Sequence, residues 1–114
     1  MRLAISAALV CAFGLVGCGT SYTCKDLCTD TNKCSGATQE NCDTSCADID
    51  TSLKTSGCTS SWDSMLTCFG DHKDKVCVMM DGTDTSCQAE TISLGVCILM
   101  YCNSHASDPL CTTY

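Results

Sequence analysis

Cys24-Lys25-Asp26-Leu27-Cys28 and Cys42-Asp43-Thr44-Ser45-Cys46 carry the same Cys-x3-Cys spacing, and the reading of these two stretches decides the fold. Residues four apart on a helix lie on one face, one turn from each other. Two antiparallel helices bearing such pairs would join Cys24 to Cys46 and Cys28 to Cys42 in register, since the index sums of the two pairs agree. The spacing therefore predicts a stapled helical hairpin in the N-terminal half.

Apolar periodicity extends this to four helices. The first, about Tyr22 to Lys33, has Cys24, Leu27, Cys28 and Thr31 at helical spacing, with Thr23 and Asp26 placed for a capping box. The second, about Gln39 to Ser56, aligns Cys42, Cys46, Ile49 and Leu53 and stops at Gly57, a natural C′ residue. The third, about Ser61 to Val76, lines up Trp62, Met65, Leu66, Phe69 and Val76. The fourth, about Cys87 to Ser104, contains the run Val96-Cys97-Ile98-Leu99-Met100-Tyr101, which implies burial on most sides. Trp62 is expected to be largely buried against this helix near Leu99 and Met100. Asp81-Gly82-Thr83-Asp84 and Asp108-Pro109 read as turns. The predicted class is all-α, a small disulfide-rich bundle of two antiparallel helical hairpins built from four short helices.

Register in the second hairpin favours Cys77–Cys87 near the turn and Cys68–Cys97 further down, with index sums that differ by one. A rival comes from the twin Cys-x9-Cys spacing of Cys58 with Cys68 and Cys87 with Cys97, similar to that of coiled-coil-helix-coiled-coil-helix proteins. It joins Cys58 to Cys97 and Cys68 to Cys87 but strands Cys77. In the favoured scheme Cys34, Cys58, Cys102 and Cys111 remain, and Cys58 is expected to pair with Cys102 or Cys111. Cysteine spacing alone leaves the connectivity open.

Ahead of this domain, Arg2 precedes an apolar run from Leu3 to Val16 that ends in Gly17-Cys18. This is export-signal anatomy. The run is shorter than the roughly 20 residues of a spanning helix and lacks a charged stop on its far side. Leu15-Val16-Gly17-Cys18 resembles the bacterial lipobox, in which the cysteine thiol receives a diacylglyceryl group and becomes the new N-terminus. That resemblance implies a signal peptide over 1–17, a lipidated N-terminus and short tether over 18–23, and a single stapled domain over 24–114. Gly19 after the lipidated cysteine resembles outer-membrane sorting.

Cleavage before Cys18 removes 17 of 114 residues and leaves 97, enough for one domain. Of 14 cysteines, Cys11 lies in the leader and Cys18 at the lipid site, leaving 12 in the domain, an even number suited to six bridges in an oxidising compartment. A metal-thiolate reading fits less well, because the spacing is not Cys-x2-Cys and only His72 and His105 offer imidazole. Met79-Met80 as soft copper ligands compete with simple gap-filling. No metal or other cofactor is expected.

Without Arg2 the chain has five lysines against 13 acidic residues, a net charge of −8. Such a domain would be repelled by nucleic acid. Asp71-His72-Lys73-Asp74 and Asp81-Gly82-Thr83-Asp84 lack the ligand ladder and closing Glu of an EF-hand loop. Catalysis has no convincing residues: Asp71 and His72 are helix neighbours about 100° apart, and no Gly-x-Ser-x-Gly elbow is present. We expect no enzyme activity.

Two family resemblances bear on the domain. Residues 24 to 46 resemble the α-hairpinin scaffold, which hosts inhibitors, antimicrobials and toxins and so implies shape more than activity. The order lipobox, Cys-x3-Cys, Cys34, Cys-x3-Cys, Ser56-Gly57-Cys58, Trp62, Met65-Leu66-Thr67-Cys68, Val76-Cys77, Cys87-x9-Cys97 and Tyr101-Cys102 resembles small cysteine-rich lipoproteins of myxobacteria. This family carries over no activity; the expected role is that of an outer-membrane or cell-surface lipoprotein acting as a structural or interaction module toward an envelope or extracellular protein or polymer, because the five residues Gly19 to Thr23 hold the domain close to its membrane. The alternative is a secreted inhibitor or toxin-like effector, for which the loop Thr29 to Asn41 offers only Lys33 beside Cys34.

Overall fold

Thr23 opens the first helix by reciprocal bonding in the computed structural model, which describes residues 21–112. The expected leader, Cys11 and Cys18, the expected lipidation site, lie outside the described residues. The Asp26 N–H donates to Thr23 Oγ1 at 3.2 Å while the Thr23 N–H donates to Asp26 Oδ2 at 2.8 Å, completing the capping box at the start of α1, Cys24–Asn32. Helix α2, Cys42–Ser56, begins three residues later than its periodicity suggested. Asn41 Oδ1 caps it by accepting from the Asp43 and Thr44 N–H groups, while Gln39 and Glu40 are bonded into the loop by Asn32. Gly57 ends α2 in the left-handed region at φ 72°, its N–H bonded to the Leu53 carbonyl.

Helix α3, Thr59–Asp71, stops five residues short of the expected Val76. The His72 N–H bonds back to the Cys68 and Phe69 carbonyls, a 3-10 turn follows at Lys73–Lys75, and the chain re-forms a short α4, Val76–Met80. The break turns Val76 inward, where only 2 % of its surface remains exposed. Helix α5, Gln88–Ser104, runs back along α3, the most extensive helix contact among the described residues. Asp108-Pro109 is more than a turn: the Asp108 carboxylate accepts from the Leu110 N–H, and Pro109 begins the short α6, Pro109–Thr112. The described residues are all helix, turn and loop, a small disulfide-rich bundle.

Six bridges close the fold. Cys24–Cys46 and Cys28–Cys42 staple α1 to α2 with Cα separations of 5.8 and 5.6 Å. In the second hairpin the expected Cys77–Cys87 and Cys68–Cys97 pairs do not form. Cys58 pairs with Cys97 and Cys68 with Cys87, the twin Cys-x9-Cys arrangement. Because α3 ends at Asp71, Cys77 is no longer on the helix that faces α5; it sits on α4 against α1 and pairs with Cys34. Cys102 and Cys111 pair with each other as α6 folds back, so neither reaches Cys58.

The interior is small. Leu53, Cys58, Met65, Leu66, Phe69, Val76 and Cys87 are buried, and Met65, Phe69, Val76 and Cys87 form one cluster flanked by Tyr22, Leu27, Trp62, Met79 and Leu94. Gly70 is required here, since a Cβ at that position would lie 2.6 Å from Tyr22 Cβ. Trp62 packs against the cluster with most of its surface covered, but one sequence expectation is corrected by this packing: α5 contributes no fully buried residue, and Leu99 and Met100 are turned to solvent.

Candidate interaction surface

Among the described residues, helix α5 is clamped along one side. Cys97 is fixed to Cys58 at the start of α3, and Leu94 packs on the central cluster. The other side carries Ile92, Val96, Leu99 and Met100, at i, i+4, i+7 and i+8, which share one helix face. Between about half and two thirds of each of these side chains is exposed. From Thr91 to Ser104 the helix has no charged residue. Large apolar side chains gathered on one exposed face are the usual mark of an interaction surface.

At its N-terminal end this face meets a cavity of about 260 Å³ between α3, α4 and α5. Phe69, Met79, Cys87 and Ile92 supply apolar walls, and Asp84, Thr85, Gln88 and Thr91 a polar rim. Asp84 is held ionised: the Ser86 hydroxyl and N–H, assisted by Lys75 at 3.4 Å, draw its carboxyl down to about 2. A second, shallow hollow near the N-termini of α3 and α5 is lined by Ser60, Ser61, Ser64, Ala89, Glu90 and Ser93, with Glu90 Oε2 buried and unbonded.

The other residues singled out by sequence fall into local roles. All 12 cysteines of the domain are bridged, so none is a free thiol. His72 closes α3, and the His105 ring stacks on Tyr101 with centroids 4.2 Å apart and Nδ1 3.0 Å from the Tyr101 carbonyl. Asp81 accepts from the Thr83 N–H and hydroxyl within the α4–α5 turn, where Gly82 takes φ 81°. Met79 fills space against the central cluster while Met80 is exposed. Among the described residues no group of three or more His, Cys, Asp or Glu is placed to hold a metal ion. Lys33, the basic residue of the α1–α2 loop, is tied to Asp30 at 2.8 Å.

The α5 face is the feature that sequence reasoning placed inside. A signal was available in the composition: a helix apolar on every side needs covering from every side, and among the described residues no further element does it. No helix among the described residues is long and apolar enough to cross a membrane. No family model, curated protein or solved structure matches this chain. Its six bridges suit an oxidising, exported environment.

Proposed function

We propose that this protein is an outer-membrane or cell-surface lipoprotein, anchored through acyl chains on Cys18, whose stapled helical domain serves as a non-catalytic structural or interaction module. The observation that carries this reading is Leu15-Val16-Gly17-Cys18 standing directly ahead of a domain in which every cysteine is bridged. Several acyl chains on one residue make a stable anchor where a single chain is marginal. Gly19 to Thr23 are five residues, so the tether reaches at most about 18 Å and keeps the domain beside its membrane. A protein held there contributes by contact, and the uncharged face of α5 is the part of its surface suited to contact.

An inhibitor reading is less well supported, because the α1–α2 loop offers a single lysine, Lys33, whose ammonium is already paired with Asp30. The anchor is tested by Cys18→Ser, which should move the protein from the membrane to the soluble fraction and leave the leader attached or cut elsewhere. Wild-type protein recovered soluble, with an unacylated N-terminus by mass spectrometry, would refute it.

A further inference from the structure

We propose that the exposed face of α5 is a self-association surface, on which a second copy of this chain packs its own α5 about a two-fold axis. The choice of a second copy rests on charge. Two domains of net charge −8 repel each other across most of their surface. The stretch from Thr91 to Ser104 has no charged residue, so it is where two copies meet without bringing carboxylates face to face.

A bilayer also accepts an apolar helix face, but helices that lie in a membrane surface carry Lys and Arg along their polar flank. Helix α5 has neither, and its one charged residue is Glu90.

Shape points the same way. Gly95 lies among Ile92, Val96 and Leu99, and an added Cβ there would meet nothing within 4 Å, which leaves room for a close helix crossing. A face that is self-complementary about a two-fold axis generates a closed dimer instead of a chain of copies. Four side chains this exposed present on the order of 400 Å² of apolar surface. Two such faces bury roughly 800 Å², below the roughly 1,200 Å² at which stable interfaces begin, so the dimer is weak and reversible. The Cys58–Cys97 and Cys68–Cys87 bridges hold α5 in place beforehand, so little ordering opposes the association.

The test uses the full chain, exported and oxidised, co-expressed with two different epitope tags and carrying the photo-crosslinker p-benzoylphenylalanine at position 99. Irradiation of intact cells should give an adduct bearing both tags, while the same crosslinker at position 44 on α2 should give none. Val96→Asp should reduce the mixed-tag adduct at least tenfold with helical circular dichroism retained. If that variant does not fold, the isosteric Val96→Thr serves instead and should reduce the adduct several-fold. An adduct with phospholipid or another protein only, or no mixed-tag adduct from oxidised protein, overturns the proposal.

Discussion

In the α1–α2 hairpin two bridges lie within one helix pair and α1 buries no side chain completely, whereas the α3–α5 pair encloses Met65, Phe69 and Cys87 in the central cluster together with Val76 of α4. The first region is held by covalent register and caps, with Leu53 of α2 its one buried side chain; the second adds a packed interior to its two bridges. The difference teaches that cross-links can stand in for a core. A chain this short can fold one half around apolar contacts and hang the other on sulfur.

Reduction should erase the difference and gives the largest expected effect. Each bridge restricts the unfolded chain by about 2–4 kcal/mol, on a mechanism that is model-dependent, and six together exceed the net stability of a small domain. Helical circular dichroism of the reduced protein should collapse in both halves. A reduced protein that retained a cooperative melt would mean that the α3–α5 interior suffices alone.

Single truncations should separate the regions. Phe69→Ala, at a residue 4 % exposed, should cost about 3–5 kcal/mol. Leu27→Ala on α1, at a half-buried position, should cost only about 1 kcal/mol. Equal shifts in denaturant midpoint for the two variants would contradict the division.

Gly70→Ala probes the seam where the N-terminal segment meets α3. The new Cβ displaces Tyr22, an overpacking of about 1–3 kcal/mol that outweighs the helix propensity gained, roughly 1 kcal/mol. In a Tyr22→Ala background the same change should become neutral or stabilising, which a double-mutant cycle measures.

The smallest effects are in pH dependence. Burial, then donation to Asp30 at 2.8 Å, raises the Tyr22 phenol above its ordinary 10.0, so its contribution is complete below pH 10 and fades as pH climbs beyond it. Tyr22→Phe should flatten the alkaline limb of the stability curve. Asp26 and Asp30 in the first region, and Asp84 and Asp108 in the second, are lowered from 3.8, chiefly by Thr23, Lys33, Ser86 and the Leu110 N–H respectively. Their contributions are present above about pH 4 and are lost on acidification, for Asp84 by about pH 2. Melting temperature followed from pH 5 to pH 2 should therefore fall gradually in both regions.

Local chemistry was readable from the sequence. The Thr23–Asp26 box, the stop at Gly57 and the two hairpin bridges each depend on residues a few positions apart, or on two helices of fixed geometry. What escaped was the break after Asp71. Nothing local demands it; it is favoured because it buries Val76 and brings Cys77 to Cys34. The misassigned bridges follow from that single omission, since a continuous helix to Val76 carries Cys77 toward α5. The open face of α5 escaped for a different reason: an apolar run shows that covering is favourable, not that the neighbouring helices supply it. Cys18, the proposed anchor, lies outside the described residues, and its role rests on the sequence.

The Cys34–Cys77 link has a consequence for what a protease can achieve. Its span overlaps that of Cys24–Cys46 on one side and that of Cys58–Cys97 on the other, so every peptide bond from Cys24 to Cys97 is enclosed by at least one covalent ring. One cut anywhere in that interval opens a ring without freeing a fragment. A nicked molecule keeps its mass apart from one added water, and two cuts or a reductant are needed before any piece of this region departs.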